Sequence, residues 1–357
     1  MAKELMKGNV AVAEAALRGG MDFFAGYPIT PSTETLEYLS YRMDEIGRKG
    51  RFIQAENEIS AINMVMGASS AGARAMTASS GPGISLKAEG FSYAARYSLP
   101  YVCLNVQRWG NGLGSLDSGQ ADYFRDVKGS GQGDYHRIVY APADIQELID
   151  SAYEAWEAAE RYRIGVCIFS EAFLGQMMEA VEMPDFKKRK EPLDWGIDGT
   201  GTKGLKYLPG SGPHISAFNA EKYAKVEAEM QRWESIQTED AEYIFVAFGL
   251  PSRVCKDAVT RLRAEGDKAG IIRPKLIWPY PWKAFEEVKA VNPHVKGFIS
   301  IETNDLGQMV EDVALAAKRA GLDVPVYCYA HGPGTPGVRR VMEKYQAVTS
   351  GEEKERF

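Results

Sequence analysis

From Met21 onward, short apolar runs alternate with longer stretches in which apolar positions recur at helical spacing. This alternation predicts an α/β chain, with parallel strands joined by crossover helices. In the first half the predicted strands span 22–27, 51–55, 74–79, 101–107, 137–141 and 164–170, and helices span 33–47, 58–72, 84–97 and 144–160. Near-continuous hydrophobicity in these strands fits a sheet covered on both faces. After Met183-Pro184 the pattern gives way to a basic run, Pro192 and six glycines from Gly196 to Gly212, which predicts a linker or arm. A mostly polar helix is predicted over 221–236. A second α/β block follows, with strands at 243–248, 271–278, 298–302 and 326–330 and helices at 252–265, 283–290, 306–320 and 337–346. The expected organisation is a first domain over 1–185, an arm over 186–240 and a second domain over 241–350, with a charged end that frays. Leu174–Glu179 echoes Leu306–Glu311, one copy per block, which is too little for a repeat.

The 357 residues are 45% hydrophobic and 25% charged, enough for a substantial core and against disorder. With a net charge of −6 and no long basic stretch beyond Lys187-Lys188-Arg189-Lys190, no phosphate-backbone footprint is present, so nucleic acid is excluded as a partner. The first residues carry an acid and no apolar core, and no run approaches the roughly 20 apolar residues of a bilayer span. A cytoplasmic protein without membrane attachment is expected. Cys103, Cys167, Cys255 and Cys328 stand far apart without a Cys-x-x-Cys pair, so they read as buried free thiols rather than ligands of an iron–sulfur cluster or zinc. The four histidines show no ligand spacing, and no metal site is assigned to this chain.

In open parallel sheets ligands collect beyond the carboxyl ends of strands, and three such loops stand out. Gly26–Thr33 carries two prolines and the hydroxyls of Thr30, Ser32 and Thr33, either as a helix cap or as a rigid platform aiming one hydroxyl at a ligand. Gln54–Glu58 places two acids at the mouth of a helix that is apolar almost all round and is expected to be buried. One of those acids is expected to face a ligand, and Gly67, nine residues after Glu58, would permit close packing. Gln107–Gly114 sets Arg108 at a strand end, where its fork could grip a carboxylate, beside Trp109. The glycines at 110, 112 and 114 do not complete a dinucleotide fingerprint, because Ser115 follows, and no Gly-Lys-Ser/Thr triplet exists.

Taken together, Tyr27-Pro28-Ile29-Thr30-Pro31-Ser32, Glu56–Met64, Met76-Thr77-Ala78-Ser79-Ser80-Gly81-Pro82-Gly83 and Gln107-Arg108 resemble the pyrimidine-binding (alpha) subunit of 2-oxoacid:ferredoxin oxidoreductases. Trp278-Pro279-Tyr280-Pro281 and Gly307–Asp312 resemble the family's second domain, so the likeness covers nearly the whole chain. It implies a thiamine-diphosphate-binding, pyrimidine-type parallel-sheet domain followed by a transketolase C-terminal-like α/β domain. Asp122-Tyr123-Phe124 and the glycine-rich stretch from Lys128 to Tyr135 look most like the 2-oxoisovalerate (branched-chain) type, while Trp109 and Asn111 depart from the Gly and Pro expected there.

The resemblance implies thiamine diphosphate as cofactor, with Glu58 as the acid on the pyrimidine ring and Glu56 as second choice. It further implies Arg108 on the substrate carboxylate with Thr30 hydrogen-bonding near it, and Tyr27, Pro28, Ser80 and Gly81 among the cofactor-binding residues. The Gly-Asp-Gly signature of a diphosphate-Mg²⁺ site is missing, since Gly133-Asp134 continues with Tyr135 and Gly266-Asp267 with Lys268. Expected partners are therefore a beta subunit carrying diphosphate and Mg²⁺, a ferredoxin-like subunit with iron–sulfur clusters and a gamma subunit for coenzyme A chemistry. The expected reaction is oxidative decarboxylation of a branched-chain 2-oxoacid with CoA, giving acyl-CoA, CO₂ and reduced external ferredoxin. The alternatives are the same chemistry on 2-oxoglutarate or an aromatic 2-oxoacid, or a non-catalytic assembly subunit. A dicarboxylate would need a second cation; Arg125, Lys128 and Arg137 are available but read as a charged helix face.

Overall fold

The computed structural model describes residues 3–187, 196–197 and 213–357. Most of the basic run and of the glycine-rich stretch expected to form the arm lies outside the described residues. In chain order the elements are β1 (Glu4–Lys7), α1 (Gly8–Arg18), β2 (Phe23–Gly26), α2 (Thr33–Glu45), β3 (Phe52–Gln54), α3 (Glu58–Ser70), β4 (Ala75–Ser79), α4 (Gly81–Leu86), α5 (Ala88–Arg96), β5 (Tyr101–Gln107), α6 (Tyr123–Val127), β6 (Ile138–Tyr140), α7 (Ile145–Tyr162), β7 (Gly165–Glu171), α8 (Ala172–Gln176) and β8 (Met178–Val181). They continue with α9 (Pro213–Glu229), β9 (Trp233–Ile236), β10 (Tyr243–Val246), α10 (Gly249–Glu265), β11 (Ala269–Pro274), β12 (Leu276–Trp278), α11 (Lys283–Val291), β13 (Gly297–Glu302), α12 (Met309–Arg319), β14 (Val326–Ala330) and α13 (Val338–Thr349).

A seven-stranded sheet has the order β12-β6-β7-β5-β4-β2-β3, and a five-stranded sheet the order β14-β13-β10-β11-β9. In the first, strands β2 to β7 pair in parallel and β12 runs antiparallel at the edge beside β6. The second is parallel apart from β9. β5 and β7 are buried along their whole length, as continuous apolar strands between helical layers should be. No helix among the described residues is long and apolar enough to cross a membrane.

Four expectations are corrected. The apolar run 271–278 is two strands in different sheets, β11 and β12, divided at Lys275, whose amide and carbonyl pair with Arg232 and Ala141. The polar helix expected over 221–236 ends at Glu229, and Trp233–Ile236 forms β9, whose apolar-polar alternation was masked by the polar residues before it. One predicted helix over 84–97 is two, α4 and α5, meeting at Lys87, a fully buried lysine. Finally, α3 is not buried all round: Ile59 and Met64 are 49% and 37% exposed, Asn63 and Gly67 are exposed with them, and a Cβ at Gly67 would meet nothing.

α1 was not predicted. Its alanines give little contrast between faces, yet nearly every position is buried, against α2 and α7. Within it, buried Glu14 accepts hydrogen bonds from Arg18, Arg42 and Tyr38.

Candidate active site

Because β2, β3, β4, β5 and β7 are parallel, the loops leaving their carboxyl ends open on one edge of the sheet. Read across the sheet, that edge carries Glu171 at the end of β7, Arg108 after β5, Ser80 and Gly81 after β4, Tyr27–Thr30 after β2 and Glu56–Glu58 after β3. The residues singled out by sequence are thus gathered on one rim.

Glu58 opens α3. Asn57 is the N-cap, its Oδ1 accepting the Ser60 amide at 2.8 Å, which fixes the direction in which the helix leaves the strand. Glu58 is 5% exposed, whereas Glu56 is exposed. A carboxylate in this position gains from the helix N-terminus. It is held close by Gly83: a Cβ there would stand 2.6 Å from Glu58 Oε1 and collide with Ser79 Oγ. Glycine at 83 is therefore what leaves room for the acid. Among the described residues, Glu58 has no side-chain hydrogen bond, and the buried hydroxyls of Thr77, Ser79 and Ser80 have no partner. Buried polar groups are rarely left unpaired. A polar ligand seated on this rim would satisfy them, so these residues fit a hydrogen-bonding heterocycle such as an aminopyrimidine.

Arg108 leaves the last residue of β5 and donates from Nη1 to the Thr30 carbonyl at 3.0 Å. Its Nε and Nη2, the two donors of one edge of the guanidinium, are buried without a partner. Burial disfavours its charge and lowers its pKa, with Asp122 acting in the opposite sense. Gly81, at φ +44°, lies beneath Nε. Thr30 contributes its carbonyl here through a cis Thr30-Pro31 bond; the Thr30 side chain is exposed, and Ser32 Oγ donates to Ile29 rather than capping α2. Tyr27 is 38% exposed, with Pro28 half-buried beside it.

Arg125 and Arg137 are not on a solvated charged face, whereas Lys128 stays exposed. Arg125 pairs with Asp122 at 2.5 Å, lies 3.5 Å from Asp126, and donates to the Gly81 carbonyl and Ser85 hydroxyl. Arg137 pairs with Asp126 and Lys128 with Asp312. The five-residue helix α6 is wedged inward by Tyr123, which is fully buried, and this drags its charges with it. Burial also pushes the Asp122 carboxyl up, against the pull of Arg125.

Sequence reasoning overlooked what holds α6 in place. Tyr123 donates to Asp312 at 2.6 Å, the Phe124 amide donates to Gln308 at 2.8 Å, and Gln308 donates to the Ala121 carbonyl. The start of α12 is in turn gathered by fully buried Glu302, which accepts the amides of Gln308, Met309 and Val310 and the Ser300 and Asn304 side chains. The Gly-Gln-Met-Val-Glu-Asp motif thus anchors the loop beside Arg108. The signal was visible in Gln308 and Asp312, but nothing in the chain order pairs them with residues 121–128.

A cavity of about 920 Å³ runs outward from Thr30 and Pro31 between Leu116, Phe173 and Leu250 to Arg253. It lies where the two sheets' loops meet.

Residues 14–241 match the family described as pyruvate flavodoxin/ferredoxin oxidoreductase, thiamine diphosphate-binding, and residues 241–341 match core domain II of pyruvate:ferredoxin oxidoreductase. The chain is 43% identical over 325 residues to ketoisovalerate oxidoreductase subunit VorB of Methanothermobacter marburgensis, covering 89% of this chain and 90% of that one. It is 34% identical over 350 residues to 2-oxoglutarate synthase subunit KorA of Methanocaldococcus jannaschii, covering 90% and 93%. Among solved structures, 2-oxoglutarate:ferredoxin oxidoreductase from Magnetococcus marinus, with 2-oxoglutarate, coenzyme A and succinyl-CoA bound, superposes with a TM-score of 0.84 at 27% identity, over 97% of this chain and 65% of that one. A split-gene transketolase shares the fold, with a TM-score of 0.58 at 13% identity over 97% and 98%. The chain belongs to the thiamine-diphosphate-binding pyruvate flavodoxin/ferredoxin oxidoreductase family, whose members are oxidoreductases acting on 2-oxoacids.

Proposed function

We propose that the chain is the pyrimidine-binding subunit of an oxidoreductase that oxidatively decarboxylates a branched-chain 2-oxoacid of the 2-oxoisovalerate kind, with CoA and ferredoxin as co-substrates. The observation that carries this is the charge balance around Arg108. Arg125, Arg137 and Lys128 are each committed to an aspartate, and among the described residues Arg108 has no carboxylate within ion-pair distance. One unpaired guanidinium edge suits one carboxylate, as in a 2-oxoacid with an uncharged side chain. A second carboxylate would meet no uncommitted cation among these residues. The VorB likeness supports the same substrate class.

Bound thiamine diphosphate would supply the nucleophilic carbon and the electron sink for decarboxylation. The residues of this chain act at the pyrimidine end and on the substrate carboxylate. Glu58, buried at the start of α3, would hold the pyrimidine N1′ by a hydrogen bond, and Ser79, Ser80 and Gly81, with Tyr27 and Pro28, would surround the ring. Arg108 holds the substrate carboxylate through Nε and Nη2, and Thr30 fixes the arginine through its carbonyl. The diphosphate with Mg²⁺, the iron–sulfur clusters and much of the CoA site belong to beta, ferredoxin-like and gamma partners.

The test is the reconstituted complex assayed against 2-oxoisovalerate, 2-oxoglutarate and phenylpyruvate. The highest kcat/KM is expected for 2-oxoisovalerate, and a preference for 2-oxoglutarate would overturn the substrate assignment. Glu58→Gln should abolish turnover in the intact assembly; normal turnover would leave an assembly role instead.

A further inference from the structure

Helix α4 touches both residues on which the proposed reaction turns. A Cβ at Gly81 would stand 2.8 Å from Arg108 Nε, and a Cβ at Gly83 would stand 2.6 Å from Glu58 Oε1, so the first turn of α4 lies against both the guanidinium and the carboxylate. With six residues and no charged side chain, α4 has little of its own to hold it in place. Arg125 grips that turn: its Nη1 donates to the Gly81 carbonyl at 3.1 Å and to the Ser85 hydroxyl at 3.0 Å. Its Nη2 faces Asp122 at 2.5 Å and Asp126 at 3.5 Å. Asn105, three residues before Arg108 and on the same strand β5, donates to both aspartates at 3.0 Å.

Arg125 thus joins α4 to α6, and α6 is itself fastened to α12 through Tyr123 and Phe124. We propose that Arg125 is a positioning residue: by clamping the first turn of α4 onto α6, it sets the separation between Glu58 and Arg108, and so between the acid that holds the pyrimidine and the cation that holds the 2-oxoacid. This rests on the reading of Glu58 and Arg108 given above. The task suits an arginine. One nitrogen of its planar fork serves the carbonyl and the hydroxyl of α4 while the other pairs with a carboxylate, whereas a lysine ammonium is a point charge that serves one side at a time.

Arg125→Lys keeps a positive charge beside Asp122 and Asp126 but gives up the two-sided grip. In the assembled complex, the KM for the preferred 2-oxoacid and the Kd for thiamine diphosphate, the latter measured by calorimetry on cofactor-depleted complex, are expected to rise together by about tenfold. The double variant Asp122→Asn with Arg125→Gln removes the two charges as a pair, and it must raise the same two constants at least as far. Each variant's melting temperature is recorded alongside. A purely structural role would lower the melting temperature and leave both constants at their wild-type values in the folded complex. That result in either variant overturns the proposal, and so does a rise in one constant alone. Should Arg108→Ala leave the KM unchanged, or Glu58→Gln the Kd, the assignment of the site is what has failed.

Discussion

The Arg108 guanidinium lies across Gly81: a Cβ at position 81 would stand 2.8 Å from Nε, on a backbone held at φ +44°. Two constraints therefore meet at one glycine. Gly81→Ala should cost about 1–2 kcal/mol in stability through its left-handed backbone. It should also push Arg108 off the Thr30 carbonyl, raising KM for the 2-oxoacid while kcat changes less. Thermal melts and steady-state kinetics read the two effects separately.

Arg108→Ala removes a charged hydrogen bond of roughly 1.5–3 kcal/mol, and kcat/KM is expected to fall about 10- to 150-fold. Arg108→Lys should recover little of this, since an ammonium lacks the paired edge formed by Nε and Nη2. An unchanged kcat/KM in the alanine variant would take Arg108 out of the site.

Glu302 gathers three backbone amides at the start of α12. Glu302→Ala leaves them unsatisfied in a buried place, and a loss of at least about 3 kcal/mol is expected in urea unfolding. Because Gln308 and Asp312 then lose their footing under residues 121–128, a milder Asp312→Asn variant should raise the 2-oxoacid KM while leaving the fold intact.

Burial pushes the Glu171 carboxyl up to about 7, against the Leu250 amide and Gln120 that favour its charge. A carboxyl whose pKa is raised by folding adds stability below its unfolded value of about 4.5 and loses it as pH rises through about 7. Glu171→Gln should therefore match the wild type near pH 5 and exceed it at pH 8 by on the order of 3 kcal/mol, as measured by denaturant unfolding at both pH values.

The strands Tyr101–Gln107 and Val326–Ala330 were legible to the residue, because long apolar runs with abrupt polar ends leave little choice of boundary. α1 was missed because alanines on every face erase the helical contrast that marks an amphipathic element. The exposure of Ile59, Asn63, Met64 and Gly67 could not be read from α3, whose composition gives both faces similar hydrophobicity. At the site, Glu58 and Arg108 could be picked out because each follows a strand end. Gly83 and Asp312 could not, because Glu58 and Tyr123, which they meet, are distant in sequence and are brought near only where α4 packs on α3 and the start of α12 meets α6. Arg125 was misplaced for a related reason: a five-residue helix has no periodicity from which to tell inside from outside.

β12, which comes from the second half of the chain, completes the edge of the first sheet beside β6, pairing Leu276 with Tyr140 and Trp278 with Val139. Severing the polypeptide near residue 241, between the two matched families, would strip that border strand from the amino-terminal piece and bare the row of amides and carbonyls on β6. Neither fragment should then be a self-sufficient folding unit. The halves are stitched, and expressing them apart should yield aggregates that only co-expression rescues.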